Sequence, residues 1–163
     1  MTAATHARRI IDCLNRRDLE TLESLVRDDV VDEVMPVGRL DGVGSVIDFF
    51  RQMLDAFVDL HIAIEHVTEA GDTAIVQWTI TGSFTGRPFL GLHPNGRRAE
   101  VRGVDVMQFD GALLRRNTIY YDGATLAREL GVLPPRGSVR EAAMTAAFNA
   151  ATRTRSLLGR VTG

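Results

Sequence analysis

The chain has 163 residues, of which 45% are hydrophobic and 25% charged, and its formal net charge is −2. These values predict one globular domain with its own core and argue against a nucleic-acid-binding protein, whose affinity would depend on excess positive charge. A single Cys excludes an intramolecular disulfide. No apolar run reaches the ~20 residues that span a bilayer, and no signal-peptide pattern opens the sequence, so we expect a cytoplasmic protein.

The N-terminal part of the sequence alternates helical patterns with one strand. Apolar residues at helical spacing predict helices over residues 3–16, 19–26 and 42–58. A β-branched run predicts a strand over residues 30–37.

After residue 58 the apolar period changes from 3.6 to 2. This change predicts four consecutive strands, over residues 60–67, 73–84, 99–109 and 113–121. A short helix over residues 123–130 follows and ends at Gly131. Helices followed by a run of strands indicate an α+β fold, with helices covering one face of a curved antiparallel sheet.

The charge is divided unevenly along the chain. Residues 134–163 carry five Arg and one Glu, which gives +4 and leaves −6 for residues 1–133. We therefore expect a domain of residues 1–133 and a basic C-terminal extension of residues 134–163, separated at Pro134 and Pro135. The capping-box pattern from Ser138 to Glu141 predicts a helix over about 139–158. That helix could pack on the acidic body or a second subunit, remain a free appendage, or lie on an anionic membrane surface.

A series of short motifs occurs in order along the second half of the chain. The motifs are Thr81–Gly86, Pro94–Val106, Asp110-Gly111, and Tyr120–Asp122 followed by Leu126 and Glu129–Gly131. Together they resemble the SnoaL-like polyketide cyclase branch of the NTF2-like superfamily, over about residues 5–133. The resemblance implies a cone, in which a curved mixed sheet and the N-terminal helices enclose an apolar pocket, and it also implies a homodimer.

The resemblance points to two candidate catalytic carboxyls. Asp122 matches the general acid/base of the SnoaL-like cyclases, and Asp105 matches a pocket carboxyl of the similar steroid isomerases. A carboxyl in apolar surroundings has a raised pKa and can exchange a proton near neutral pH, as chemistry next to a carbonyl group requires. The structural alternatives are that Asp122 caps the helix that starts at Gly123 and that Asp105 is a hydrogen-bonded structural carboxylate.

Aromatic and amide side chains near these carboxyls are candidate substrate-binding residues. Trp78 lies on the apolar face of a central strand, as a pocket wall or a core residue. Tyr120 and Tyr121 point to opposite faces, so only one of them can reach the pocket, and Asn117 shares a face with Tyr121.

Two further candidates mark departures from related enzymes. Met35 stands where the similar steroid isomerases carry their base, and Phe50 stands where they carry a tyrosine. These departures argue against a steroid-isomerase mechanism, although both positions remain candidates for contact with substrate. Similarly, Trp78, Ile80 and Ile119 occupy the positions of the charged catalytic residues in the limonene-epoxide-hydrolase branch.

The sequence gives no sign of a metal or a cofactor. His61 and His66 are an odd number of residues apart, so we expect them to face opposite ways on their strand, and no cluster has the spacing of zinc ligands. No glycine-rich loop links a strand to a helix as nucleotide binding would need, and the absence of Lys excludes Schiff-base chemistry.

The sequence therefore predicts a cofactor-independent acid/base enzyme of the cyclase or isomerase type. Its substrate would be a hydrophobic carbonyl compound held in an enclosed pocket. The alternative is a non-catalytic module of the same fold that binds a hydrophobic ligand or serves as a scaffold.

Overall fold

The computed structural model describes residues 1–35 and 37–161, and the side chains of residues up to 155. The helices are α1 (Ala3–Arg16), α2 (Leu19–Glu23), α3 (Val43–Ala56), α4 (Gly123–Glu129) and α5 (Val139–Val161). The strands are β1 (Val26–Met35), β2 (Gly38–Asp41), β3 (His61–Ala70), β4 (Thr73–Ser83), β5 (Arg98–Asp110) and β6 (Leu113–Tyr121). No helix within the described residues is long and apolar enough to cross a membrane.

The predicted α+β class is confirmed, and the elements differ from the prediction mainly near β1. The helix predicted over residues 19–26 ends at Glu23, because Val26 already pairs with Leu114 of β6. β1 therefore begins four residues before the predicted start. β2 was not predicted, and Pro36, within the strand predicted over residues 30–37, lies outside the described residues.

The six strands form one sheet in the order β2-β1-β6-β5-β4-β3. The pairing of β1 with β6 is parallel, and every other pairing of neighbouring strands is antiparallel. The first long strand of the chain thus lies in the interior of the sheet, beside the last. This placement brings residues from distant parts of the sequence into one row.

Helices α1 and α3 supply the apolar cover of the sheet. Their buried residues recur every three or four positions, so each helix presents one apolar stripe: Ala7, Ile10, Ile11 and Leu14 in α1, and Val46, Ile47, Phe50 and Leu54 in α3. The facing side of the sheet is formed by alternating buried residues, such as Ala74, Val76 and Trp78 of β4. The core therefore lies between these helices and one face of the sheet.

The C-terminal helix α5 is mostly exposed over its described side chains. One link of α5 to the preceding domain is the ion pair of Glu141, whose carboxylate lies 3.5 Å from Arg128. The same carboxylate accepts a hydrogen bond from the backbone N–H of Gly137 at 2.6 Å. Met144 and Phe148, one turn apart, are 48% and 71% exposed.

Candidate active site

An apolar cavity lies between the sheet and the helices α1 and α3. It contains about 850 Å³ of empty space, including its open mouth. The wall is built from aliphatic and aromatic side chains of both helices and of strands β1 and β3 to β6. Among the described residues that line it, only Asp105 and Tyr121 carry a side-chain oxygen. Trp78 adds an indole N–H, which is engaged with Asp105.

Asp105 is held by two N–H donors at the cavity wall. Its side chain points inward from β5 and is only 5% exposed. Oδ1 accepts a hydrogen bond from Nε1 of Trp78 at 2.9 Å, and Oδ2 accepts one from Nδ2 of Asn117 at 3.4 Å. Burial raises the pKa of Asp105 to about 6, while these two hydrogen bonds oppose the rise. A carboxyl with this pKa is ionised at neutral pH and is a stronger base than a carboxylate in water.

A second buried carboxyl, Asp32, lies behind this wall. In the parallel register Asp32 of β1 stands opposite Asn117 of β6, and the two residues are 1% and 2% exposed. Burial raises the pKa of Asp32 to about 8, the negative charge of Asp105 adds to the rise, and the Asn117 amide opposes it. Asp32, Asn117, Asp105 and Trp78 thus form a row of polar side chains across four strands, which we call the polar row.

The sequence contained a signal for Asp32 that the prediction did not use. Val30 and Val34 are buried on one face of β1, and Asp32 stands between them at the same parity. An acidic residue between two core positions of a strand is a buried carboxyl unless the strand is irregular. The family resemblance pointed only to Asp105 and Asp122.

The structure distinguishes the two tyrosines. Tyr121 is half-buried and lines the cavity, whereas Tyr120 is 53% exposed on the opposite face of β6. Tyr121 pairs with Gly103, two positions along β5 from Asp105, so the phenol and the carboxyl share one face of adjacent strands. Burial raises the pKa of Tyr121, so its hydroxyl keeps its proton at neutral pH and remains a hydrogen-bond donor.

The remaining predicted contact residues divide in the same way. Trp78 and Phe50 both line the cavity. Asn117 faces the core but contacts Asp105 rather than the cavity itself. Met35 lies on the outer face of β1 and is 41% exposed, because it follows buried Val34 and the side chains of a strand alternate. Met35 and Tyr120 therefore lie outside the cavity, and the prediction that they contact substrate is corrected.

Asp122 lies outside the cavity. Its side chain is exposed and caps α4, where Oδ1 accepts the backbone N–H of Thr125 at 2.9 Å and Oδ2 accepts the hydroxyl of the same residue at 2.7 Å. These bonds hold the pKa of Asp122 below its usual range. This geometry matches the structural alternative for Asp122 and removes the enclosed surroundings that a raised pKa would need.

The two strand histidines also differ from their predicted arrangement. The register of β3 shifts between Ile64 and His66, and this bulge reverses the alternation beyond it. As a result His61 and His66 are both exposed, on the same face. Across the part of the chain that the structure describes, no group of three or more His, Cys, Asp or Glu side chains is placed to hold a metal ion.

A curved mixed sheet closed by helices around an apolar cavity defines an NTF2-like α+β cone. The family model of the SnoaL-like polyketide cyclases matches residues 4–130, and the chain belongs to this family. The comparison with curated proteins gives no match.

Solved structures share this fold at low sequence identity. AclR from Streptomyces galilaeus, assigned provisionally as a hydroxylase, is 20% identical with a TM-score of 0.72, over 81% of this chain and 97% of its own. IdmH from Streptomyces antibioticus, a provisional polyketide cyclase, is 18% identical with a TM-score of 0.70, over 80% of this chain and 99% of its own. TsrD from Streptomyces laurentii is 21% identical with a TM-score of 0.69, over 79% and 97%.

Proposed function

We propose that the protein is a cofactor-independent enzyme that removes a proton next to a carbonyl group of an apolar small molecule, as a polyketide cyclase or isomerase does. The observation that carries this proposal is the state of Asp105: a carboxylate at the wall of an apolar cavity, held by two N–H donors and with a pKa of about 6. Membership of the SnoaL-like polyketide cyclase family supports the same class of substrate.

The two polar groups of the cavity wall suit the two halves of this reaction. Asp105 accepts the proton from the carbon next to the carbonyl, and the bond electrons move into an enolate. The neutral hydroxyl of Tyr121 donates a hydrogen bond to the enolate oxygen, where negative charge develops. In a cyclisation the enolate carbon attacks a second carbonyl, and the alkoxide that forms takes the proton back from Asp105. In an isomerisation Asp105 returns the proton to another carbon of the enolate. The apolar wall binds the hydrocarbon part of the substrate and excludes water.

A test of this proposal does not require the natural substrate. We would incubate the protein with a bicyclic aromatic ketone, such as 2-tetralone, in D₂O and follow deuterium exchange next to the carbonyl by NMR. The wild type should accelerate this exchange, and Asp105→Asn should lose about 10²–10⁴-fold of the acceleration, the usual contribution of a positioned acid or base. Asp122→Asn is the matched control, since it changes a carboxyl outside the cavity, and it should leave the rate unchanged.

A second candidate function is binding without catalysis. It is favoured by the position of Asp122, the residue that matches the acid/base of the family, which is exposed and engaged in capping. In that case the ketone would bind, as seen by quenching of Trp78 fluorescence, but wild type and Asp105→Asn would exchange deuterium at the same rate. That result would exclude the catalytic proposal and leave a hydrophobic-ligand carrier.

A further inference from the structure

Three buried oxygen atoms of the polar row have no hydrogen-bond partner within the described part of the structure. They are Oδ1 and Oδ2 of Asp32 and Oδ1 of Asn117. If Asp32 were ionised, all three atoms would be acceptors, and the amide of Asn117, which opposes the rise in the pKa of Asp32, is already engaged with Asp105. A buried carboxylate in this situation takes up a proton rather than keep an uncompensated charge. A proton on Asp32 would supply the donor that this group of atoms lacks.

The charged neighbours of Asp32 also favour the protonated form. Asp105 lies beyond Asn117 on β5, and Glu33 is the next residue of β1; both are acidic and both raise the pKa of Asp32. The Glu33 carboxyl is engaged by Arg116 of β6 at 2.7 Å, on the opposite face of the sheet. Helix α3 packs on β1, and the side chains that it buries are apolar, among them Val46, Ile47 and Phe50. The charged residues of α3 are exposed: Asp48, Arg51 and Asp55.

The orientation of the Asn117 amide connects the two carboxyls. Nδ2 donates to Oδ2 of Asp105, so Oδ1 is the atom left to accept a hydrogen bond. Asp32 is the neighbour of Asn117 on β1 in the parallel register, on the same face of the sheet. An amide that accepts at one end and donates at the other is fixed in one orientation.

We propose that Asp32 is a positioning residue of this site: its protonated carboxyl donates a hydrogen bond to Oδ1 of Asn117, which holds Nδ2 of Asn117 against Oδ2 of Asp105 and keeps Asp105 as the carboxylate base. This inference rests on the proposed role of Asp105. In the pH range between the two pKa values, about 6 and about 8, the pair of carboxyls holds one proton. The two N–H donors on Asp105 and the lack of a donor to the oxygens of Asp32 within the described residues place that proton on Asp32.

Trp78 provides a direct measurement of this arrangement. It is the single Trp of the chain, and its Nε1 donates to Asp105, so its fluorescence reports the state of that carboxyl. We would record the emission as a function of pH for the wild type and for Asp32→Asn, Asp32→Val and Asp105→Asn. Asp32→Asn has nearly the shape of Asp32 and retains a donor for Asn117, whereas Asp32→Val removes the donor.

The proposal predicts a distinct titration for each protein. The wild type should show two transitions, near pH 6 and near pH 8. Asp32→Asn should keep the lower transition and lose the upper one. Asp32→Val should move the lower transition to higher pH, because the amide is no longer fixed and the hydrogen bond that lowers the pKa of Asp105 is lost. Asp105→Asn should keep only the upper transition, shifted to lower pH because the neighbouring negative charge is gone.

Two results would overturn the proposal: an upper transition that persists in Asp32→Asn, or a titration of Asp32→Val that coincides with that of Asp32→Asn. Deuterium exchange provides a second readout, in which Asp32→Asn should retain activity within about threefold and Asp32→Val should lose at least tenfold. If the wild type exchanges no deuterium but the titrations follow the prediction, the proposed enzymatic function fails and the linkage between the carboxyls stands.

Discussion

Asp32 of β1 stands opposite Asn117 of β6 in the parallel register, and both side chains are almost fully buried. This relationship places an ionisable group in the interior of the sheet, where its oxygens have no donor within the described residues. Protonation of Asp32 is therefore linked to the stability of the fold, as well as to the state of Asp105.

The first prediction concerns stability and pH. In the unfolded chain Asp32 has a pKa of about 3.9, whereas in the folded protein it is about 8. Between these values the folded protein holds a proton that the unfolded chain has released. The stabilisation that protonated Asp32 contributes is therefore complete below about pH 4, decreases as the pH rises, and is lost above about pH 8. Asp105 acts in the same direction between about 4 and 6.

Urea denaturation of the wild type and of Asp32→Asn at pH 4.5, 6 and 8 tests this prediction. The wild type should lose stability across the series, and Asp32→Asn should lose much less. By pH 8 the difference between the two proteins should have grown by a few kcal/mol, on the order of 1.4 per pH unit. Equal slopes for the two proteins, or a wild type that becomes more stable toward pH 8, would contradict it.

The second prediction concerns the space beside Trp78. A Cβ atom at Gly103 would lie 2.3 Å from Cη2 of Trp78 and 2.6 Å from the carbonyl oxygen of Tyr120. A backbone oxygen and a ring packed in the wall cannot simply move aside, so Gly103→Ala should cost about 1–3 kcal/mol of unfolding free energy. It should also shift the emission of Trp78.

Gly44→Ala is the control for that substitution. Gly44 lies in α3, and a Cβ atom there would meet nothing within 4 Å. Since Ala is the better helix former, this variant should be unchanged or more stable by up to about 1 kcal/mol. Thermal unfolding of the two variants compares them directly, and a Gly103→Ala protein as stable as the wild type would show that the sheet adjusts at this point.

The third prediction separates the two roles weighed for Asp122. Asn is as good a helix N-cap as Asp, so Asp122→Asn should leave both stability and deuterium exchange unchanged. Asp122→Ala removes the acceptor for Thr125 and should cost about 1 kcal/mol, again with no effect on exchange. A fully folded Asp122→Asn protein without exchange activity would instead identify Asp122 as the acid/base, as the family resemblance implies.

The fourth prediction concerns the C-terminal extension. Every described residue that lines the cavity precedes Leu133. The ion pair of Glu141 with Arg128 is the kind of partly exposed contact that contributes about 0–1 kcal/mol. A chain that ends at Leu133 should therefore fold, lose no more than about 1 kcal/mol, and give the same Trp78 titration as the full chain. Loss of the two transitions on truncation would show that the extension is part of the site.

Local patterns predicted much of this fold because they arise from local physics. The apolar stripe of α3 and the alternation of β4 follow directly from helical and strand periods, and they place Phe50 and Trp78 on the inner side. Parity also restricted the pocket to one of two tyrosines. It could not choose between them, because the choice depends on which face of β6 the helices cover.

The parts that the sequence did not predict depend on contacts between distant residues. The parallel pairing of β1 with β6 produces no pattern in the local sequence of either strand. Only this pairing brings Asp32 next to Asn117 and close to Asp105. The bulge in β3 reversed the parity of His66. For Asp122 the resemblance implied an acid/base, while the neighbouring Thr125 provides the donors of an ordinary helix cap.

The parallel pairing of β1 with β6 also determines when the site is assembled. Glu33 and Arg116, which bond across these two strands, are 83 positions apart in the sequence. Contacts that close so long a segment of chain are slow to form, and during synthesis β1 must wait for the last strand of the sheet. Until then Asp32 remains in water and ionised. The final docking of β1 thus draws a proton from solvent, and the uptake of that proton marks the closure of the sheet.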